Sequence, residues 1–402
     1  MGSKTSTVPL WTRSFSLLII ANLFVFMGFQ MLIPTIPPYI QSLGASGIEI
    51  GLATTLFSIG AVIIRPFIGY FLEYRERKAL VIIGAISLLV ITILYPVSQI
   101  VFIFLGFRLL HGIGWGWSTT ANGTAAVDVV PNARLGEGMG YFGLSATVGM
   151  IIAPSLGIFL YQHFQFSIII VVSTILSAIA ILLLVIVKYK TPEVVKNKRA
   201  DEVQFSFFGS LIEKSSWYPA FVTLMATFGY GTIVTFIVIF SEERGLHQIY
   251  LFYLCNAVVA TLVRPITGRW FDRKGPRALI LICATLTFIA LWVLSFATSN
   301  IYIIISGILF GAGYGSLIPT LQAWVLQKTV PERRGVANGM FYSAIDLGIG
   351  ASGLIFGILA QVVSIGTLFQ ISSFFFLFVI IFTIFSGQKK KIKQTQRVTH
   401  GL

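Results

Sequence analysis

The sequence RPITGRWFDRKGPR, residues 264–277, repeats an earlier part of the same chain. The first copy, RPFIGYFLEYRERK, occupies residues 65–78, and its Arg65, Pro66 and Gly69 recur 199 residues later as Arg264, Pro265 and Gly268. The alternate glycines of residues 112–116 recur at the same distance in residues 311–315. A spacing that stays constant across separate segments indicates an internal duplication. The chain therefore consists of two related halves.

The composition is that of a membrane protein. Of the 402 residues, 56% are hydrophobic and 10% are charged, whereas a soluble domain carries about 25% charged residues. A helix needs about 20 apolar residues to cross about 30 Å of hydrocarbon, so a chain of this length accommodates about twelve crossings. The apolar segments predict transmembrane helices at residues 13–37, 47–72, 79–97, 101–127, 135–160, 166–188, 217–241, 248–271, 278–297, 301–327, 336–360 and 366–387.

These segments predict an all-α membrane protein with twelve transmembrane helices in two pseudo-symmetric six-helix halves. Residues 1–187 form the N-terminal half and residues 217–387 the C-terminal half. Residues 188–216 form a basic central loop, and residues 388–402 form a basic tail. Two parallel six-helix repeats characterise one class of transporters, in which the substrate site lies between the repeats near the bilayer midplane.

Lysine and arginine are concentrated in alternate loops. The chain has 28 of these residues and a formal net charge of +14. If both termini lie inside, Arg244 is the only cation in an outer loop, while Arg65, Arg108 and Arg264 lie within helices. Cytoplasmic loops carry an excess of cations. We therefore expect a multi-pass protein of the cell membrane with both termini cytoplasmic, and we attribute the charge to sidedness in the bilayer rather than to nucleic-acid binding.

The sequence shows none of the patterns expected of an enzyme or an ATP-driven pump. It has no phosphate-binding loop and no nucleophile–base constellation, and its two cysteines, Cys255 and Cys283, lie in separate apolar segments. Cysteines without ligand spacing do not indicate a metal site. We expect a monomer that has no cofactor or metal, uses the proton gradient, and has protons and a small-molecule substrate as its partners.

The second copy of the repeated motif resembles the signature loop of the major facilitator superfamily. That loop has a glycine followed by Asp-Arg-x-Gly and further cations, as Gly268, Asp272, Arg273 and Gly275 do here. The resemblance implies a gate at the cytoplasmic side. Physically, Gly268 lets a neighbouring helix approach, Asp272 caps a helix or pairs with an arginine, and Gly275 permits a tight turn.

The first copy of the motif departs from the family pattern. Its gate residues are Gly69, Glu73 and Arg77, with glutamate in place of the usual aspartate. In addition, Glu76 stands where glycine is usual. We therefore expect the second copy to matter more for gating.

The fourth predicted helix contains Arg108-Leu-Leu-His111-Gly112-Ile-Gly114-Trp-Gly116. Arginine followed by a row of glycines resembles the family motif associated with proton coupling. A buried arginine is costly and faces a cavity or a partner. His111 lies one turn away on the same face, and histidine changes charge near neutral pH. Both residues also have a structural reading, in which Arg108 is a buried ion-pair partner and His111 a packing residue.

The fifth predicted helix contains the sequence Gly149-Met-Ile-Ile-Ala153-Pro154-Ser-Leu-Gly157. It resembles the antiporter motif of family exporters, with Ala153 replacing a glycine. Small residues around a proline bend a helix and permit close packing. The resemblance favours export over uptake, and the alternative is an ordinary kinked helix.

One acidic residue lies deep in a predicted helix. Asp346 is about ten residues from the cytoplasmic end of the eleventh helix, roughly 15 Å deep. An ionisable residue at that depth is a functional candidate by default. Asp346 is therefore the leading proton carrier, with a structural partnership as the alternative. Asp128 and Glu137 lie at the inner mouth beside Arg134, where a local ion pair is the simpler reading.

Polar and aromatic residues on helices one, four, seven, eight and ten are candidates for lining the substrate cavity. The alternative for the tryptophans and tyrosines is the interfacial belt. The candidates are Asn22, Gln30, Trp115, Asn122, Tyr230, Asn256, Tyr314, Gln322 and Trp324.

Together these features predict a proton-coupled exporter, or antiporter, that works by alternating access. Its substrate would be a small molecule such as a drug or an amphipathic, metallophore-like metabolite, as in the twelve-helix drug–proton antiporter branch of the family. Two alternatives stay open. One is a proton symporter that imports a sugar or an organic acid, and the other is a lipid flippase or a non-transporting membrane sensor.

Overall fold

The computed structural model describes residues 9–131, 134–189, 205–330 and 333–399. Every regular element within these residues is helical. The helices of the first part are α1 (Arg13–Gln30), α2 (Ile36–Ser42), α3 (Gly47–Tyr74), α4 (Arg77–Leu94), α5 (Val101–Val129), α6 (Leu135–His163) and α7 (Phe166–Ile186). The helices of the second part are α8 (Phe207–Leu211), α9 (Trp217–Glu243), α10 (Tyr250–Lys274), α11 (Pro276–Ser295), α12 (Asn300–Gln327), α13 (Arg334–Leu359) and α14 (Ile365–Thr399).

Ten helices among the described residues are long and apolar enough to cross a membrane. Helix α10 adds a shorter apolar stretch, Tyr250–Arg264. The remaining long helix, α5, has 29 residues and buries Arg108 and His111 among its glycines. The prediction of an all-helical membrane protein is confirmed.

The first predicted helix is shorter than expected. The sequence predicts one helix over residues 13–37, but α1 ends at Gln30 and α2 begins at Ile36. Proline has no backbone N–H and is tolerated mainly in the first turn of a helix. Pro34 therefore falls in the break, while Pro37 and Pro38 fall in the first turn of α2.

The chain divides into two compact units. The first unit comprises Met1–Tyr39 and Leu56–Ser210, and the second comprises Ile40–Thr55 and Leu211–Leu402. Helix α3 is continuous from Gly47 to Tyr74, so its first nine residues belong to the second unit and the rest to the first.

The internal duplication is repeated in the packing. In the first unit, a Cβ added to Gly112 of α5 would lie 1.9 Å from the carbonyl oxygen of Phe57 on α3. In the second unit, a Cβ on Gly311 of α12 would lie 2.6 Å from the carbonyl oxygen of Asn256 on α10. Both members of each contact are related by the sequence repeat. Glycine is required at these positions because the helix backbones touch.

A second close approach joins the start of α3 to α13 within the second unit. A Cβ on Gly51 would lie 2.0 Å from the carbonyl oxygen of Gly353, and one on Gly357 would lie 2.6 Å from that of Gly47. Thr55, one turn after Gly51, donates its hydroxyl to the carbonyl oxygen of Gly350 at 2.6 Å. This α3–α13 crossing is therefore formed by glycines on both helices and is stabilised by a hydrogen bond from Thr55 to Gly350.

Candidate functional site

A buried polar group lies among the aromatic residues of the first unit. Arg108 is 3% exposed, and His111 and Tyr95 are fully buried. Arg108 Nη1 donates to the Tyr95 hydroxyl at 3.4 Å, and the same hydroxyl lies 2.6 Å from His111 Nδ1. Arg108 and His111, predicted on one face of α5, therefore share Tyr95 as a partner.

These hydrogen bonds are compatible with one neutral form of the histidine, in which Tyr95 donates to it. A guanidinium can only donate, so the Tyr95 oxygen accepts from Arg108 and its single proton is free to go to His111 Nδ1. Nδ1 is then the acceptor and Nε2 carries the proton of a neutral imidazole. Nε2 is buried and has no hydrogen-bond partner among the described residues. The arrangement leaves one donor without an acceptor.

Aromatic rings enclose this group. The guanidinium carbon of Arg108 lies 4.6 Å from the ring centroid of Phe57, which is a cation–π contact. Phe29 stacks on Phe57 at 5.1 Å and on Trp115 at 3.8 Å. We call Phe29, Phe57 and Trp115 the aromatic wall. The aromatic wall places flat apolar surfaces beside the buried Arg108, and such surfaces suit planar apolar molecules.

The second unit has an aromatic stack of its own. Tyr230 of α9 stacks on Tyr314 of α12 at 4.4 Å, and Phe310 stacks on Tyr314 at 4.9 Å. Both tyrosines are candidate cavity residues predicted from the sequence, and the structure brings them into contact. The stack therefore joins α9 to α12.

Asp346 lies on α13 beside α9 and is 8% exposed. Two residues before it, the Ala344 carbonyl oxygen accepts from the Thr227 hydroxyl at 3.3 Å. Two residues after it, a Cβ on Gly348 would lie 2.1 Å from the Thr227 Oγ1 atom. These contacts join α13 to α9 one half-turn before and one half-turn after Asp346.

The other candidate cavity residues are dispersed. Asn22 donates to the Ser145 hydroxyl at 3.0 Å, and Asn122 is fully buried on α5. Gln322 donates to Asn338 at 2.9 Å. Trp324 packs edge-on against Tyr218 at 5.9 Å. Gln30 and Asn256 are partly exposed. Each of these contacts lies within one of the two units.

The candidate gate residues are described in part. The side chains of Glu73 and Asp272 lie outside the described residues, as do those of Glu137 and Arg334. Arg273 is exposed. Gly275 ends α10 and precedes α11 with φ 75°, so the tight turn that the sequence predicts there is present.

Two details of the predicted gate are different in the structure. Among the described residues, no atom lies within 4 Å of a Cβ built on Gly69 or Gly268. The close approach predicted for Gly268 is thus not present among the described residues. Asp128, predicted to have a local ion-pair role beside Arg134, accepts from Arg77 Nε at 2.6 Å. The reason is that the start of α4 brings Arg77 to the end of α5.

The antiporter motif lies where α6 meets α1 in the first unit. A Cβ on Gly149 would lie 2.7 Å from Phe26 Cβ, and one on Gly157 would lie 2.4 Å from the Met31 carbonyl oxygen. Ala153 is fully buried, and Pro154 lies inside the helix. The small residues therefore permit contact between two helix backbones, as the sequence predicts.

Sequence reasoning missed Phe29, Phe57, Tyr95 and Phe310. The chain contains 35 phenylalanines, and nothing in their spacing separates ring partners from lipid-facing residues. Tyr95 precedes Pro96 at the end of α4, so it reads as an interfacial residue. Only the fold places it next to α5.

An ion pair fixes the segment that precedes α9. Arg333 Nε donates to the Glu213 carboxylate, which also accepts from the Ser215 N–H at 3.0 Å and hydroxyl at 2.8 Å. These donors, Arg333 first, lower the pKa of Glu213 to about 2. Glu213 lies just before the apolar span that starts at Lys214.

Glu213→Gln is expected to lower the melting temperature at pH 7 and not at strongly acidic pH. The folded-state pKa of Glu213 lies below the ordinary value of 4.5. The carboxylate therefore stabilises the fold above that value, and the contribution is lost as the pH falls toward 2. Thermal unfolding of both proteins between pH 7 and about pH 2 measures the difference, which should shrink below pH 4.5. The exposed Glu76→Gln serves as control, and a difference independent of pH would contradict the expectation.

Comparison with known proteins places the chain in a family. The model of the Major Facilitator Superfamily matches residues 18–278 and 220–400. The multi-drug resistance efflux pump PmrA homolog of Lactococcus lactis is 26% identical over 87% of this chain and 87% of its own. The multidrug resistance protein MdtG of Klebsiella pneumoniae is 21% identical over the full length of both chains.

A solved structure shows the same fold. The nucleoside transporter NupG superposes with a TM-score of 0.72 at 15% sequence identity, over 93% of this chain and 98% of its own. Twelve long helices among the described residues, an internal duplication repeated in the packing, and a family match that spans both halves lead to one conclusion. This chain is a membrane transporter of the major facilitator superfamily.

Proposed function

We propose that this transporter is a proton-coupled exporter of amphipathic small molecules with planar apolar parts. Such molecules include drugs and metallophore-like metabolites. Export is supported by the antiporter motif on α6 and by the relatives that are multidrug transporters. It would proceed by alternating access, in which the cavity opens first to one side of the membrane and then to the other.

The observation that carries the proposal is the buried cation inside an aromatic wall. Arg108 lies over Phe57 and bonds Tyr95, while His111 Nε2 has no partner among the described residues. A planar substrate would gain ring contacts with the aromatic wall. An acceptor atom on that substrate would satisfy the free imidazole N–H. Tyr230 and Tyr314 offer a second aromatic surface in the other unit.

Proton coupling requires a group that changes charge during the cycle. We propose Asp346 as that group, because it is a buried carboxylate in the middle of α13, where its charged form is costly. Arg108 and His111 would complete the coupling residues. The gate residues of the two repeated loops would control access from the cytoplasm.

The proposed orientation places both termini in the cytoplasm. It rests on the concentration of lysine and arginine in alternate loops. Single cysteines introduced at residues 196–202 of the central loop should react with a membrane-impermeant maleimide only after the inner face is exposed. Labelling of intact cells at these positions would overturn the orientation.

Transport by the purified protein tests the proposed function. In proteoliposomes that orient the protein inside-out, an acidic lumen should drive accumulation of ethidium, a planar aromatic cation, and a protonophore should abolish it. Arg108→Ala should lose this transport and Arg108→Lys should recover part of it. Accumulation of a sugar or an organic acid together with protons would instead support the symporter. Movement of labelled lipid alone would support a flippase.

A further inference from the structure

A cavity of about 480 Å³ opens at one end of the first unit. Ligand sites in proteins occupy about 300–1,000 Å³, so the cavity is large enough for a small polar group. It is lined by Glu76, Arg77, Lys78, Ile186, Val187, Lys188 and Tyr189. Neither the aromatic wall nor Asp346 belongs to it, and of the proposed gate residues only Arg77 lines it, so the proposed transport mechanism assigns the cavity no ligand.

The charges that line this cavity favour an anion. Arg77, Lys78 and Lys188 are cationic, and Glu76 is the one carboxylate among the lining residues. Lys78 and Lys188 are exposed, so their ammonium groups are free to follow a ligand. Arg77 Nε is used by Asp128 at 2.6 Å.

An unsatisfied donor adds a second, independent indication. Arg77 Nη1 is buried and has no hydrogen-bond partner among the described residues. A buried guanidinium nitrogen without an acceptor is costly, and phosphate oxygens are the acceptors that arginine binds best. The Asp128 pair holds the side chain in place, so this donor is preorganised.

The backbone favours the same ligand. Helix α4 begins at Arg77, and Glu76 at its N-cap makes no side-chain capping hydrogen bond. The first N–H groups of a helix lack partners inside the helix, and they attract anions, phosphate above all. The cavity therefore combines three cations, an orphan guanidinium donor and an uncapped helix start.

The position of the cavity identifies the source of the phosphate. Arg77 is the first residue of one apolar span, Arg77–Val97, and Ile186 is the last residue of another, Phe166–Ile186. The lining thus lies at the level where hydrocarbon gives way to headgroups. Ile186 and Val187 supply an apolar side next to the cations. Basic sites between helices at this level suit anionic lipid headgroups.

We propose that this cavity binds the phosphate of an anionic phospholipid. The phosphate oxygens accept from Arg77 Nη1 and the start of α4, while Lys78 and Lys188 neutralise the headgroup. Val187 and Ile186 lie against its glycerol. The transporter would then hold one lipid at a defined place on its first unit.

Lipid-dependent stability of the full-length protein tests the proposal. The melting temperature is measured in detergent during titration with short-chain phosphatidylglycerol, phosphatidylcholine or inorganic phosphate. Phosphatidylglycerol should stabilise the wild type most. In Lys78→Gln/Lys188→Gln the half-saturating concentration should rise about tenfold or more, since each cation near an anionic lipid contributes appreciably. Arg77 is left intact because its pair with Asp128 contributes to the fold.

Lys214→Gln/Lys328→Gln is the matched control. These two lysines are also exposed and lie outside the cavity, so this variant should keep the wild-type dependence on phosphatidylglycerol. Equal half-saturation in all three proteins would overturn the proposal, as would equal stabilisation by phosphatidylcholine. If inorganic phosphate reproduces the difference between the variants and phosphatidylglycerol does not, the lipid assignment is wrong and the cavity takes free phosphate.

Discussion

Replacement of Asp346 by asparagine is expected to reduce proton-driven efflux to the level of empty liposomes. Asparagine has nearly the size of aspartate, and its amide oxygen and nitrogen can both form hydrogen bonds. Unlike aspartate, it cannot take up or release a proton. The helix contact around it, between Thr227 and residues 344–348, should persist. Substrate-for-substrate exchange without a gradient should therefore survive the substitution. The ratio of driven efflux to exchange is the quantity to measure.

The exposed acid Glu242, at the end of α9, provides the control. Glu242→Gln removes a carboxylate from the same helix pair and should leave both driven efflux and exchange unchanged. If Asp346→Asn pumps normally with an unchanged pH dependence, the carboxylate is structural. The proton would then have to pass through His111, Asp128 or Glu137.

Gly51→Ala is expected to disrupt the α3–α13 crossing and to destabilise the fold. The added Cβ would lie 2.0 Å from the Gly353 carbonyl oxygen and 2.8 Å from its carbon, so α3 and α13 must separate. Overpacking of this kind costs about 1–3 kcal/mol. A loss of that size lowers the equilibrium constant between packed and separated helices by about five- to 150-fold. Transport should fall accordingly, and the melting temperature should drop by several degrees.

Gly123→Ala is the matched control for this experiment. Gly123 lies inside α5, and no described atom lies within 4 Å of a Cβ built there. Because alanine favours a helix more than glycine by about 1 kcal/mol, this control should be neutral or slightly stabilising. If Gly51→Ala and Gly123→Ala behave alike in transport and in unfolding, the α3–α13 crossing contributes nothing to the cycle.

The fold could be predicted from the sequence because the lengths of the apolar segments and the internal duplication are both visible in it. The repeat of residues 65–69 at residues 264–268 predicts paired packing, and the contacts of Gly112 and Gly311 show it. The break after Gln30 was missed because the apolar pattern continues through Pro34. The apolar pattern indicates which residues lie in the lipid. It does not indicate where the helical hydrogen bonds of the backbone are interrupted.

Only those site residues whose burial in a membrane costs free energy could be predicted from the sequence. Arg108, His111 and Asp346 stand out in apolar segments because burying them has to be compensated. Tyr95 and Phe57 carry no such signal, although they contact Arg108 directly. Their role depends on which helices become neighbours. The cavity at Arg77 could not be predicted from the sequence either. Its lining residues come from the start of α4 and the end of α7, which are far apart along the chain.

The α3–α13 crossing has a consequence for dividing the gene. A fragment that ends in the central loop would contain Gly47, Gly51 and Thr55, whereas Gly350 and Gly353, which they contact, would be on the other fragment. Neither piece alone would bury this glycine surface or form the hydrogen bond from Thr55 to Gly350. Two co-expressed fragments would carry complementary glycine surfaces. We therefore expect them to assemble even when the central loop is cut.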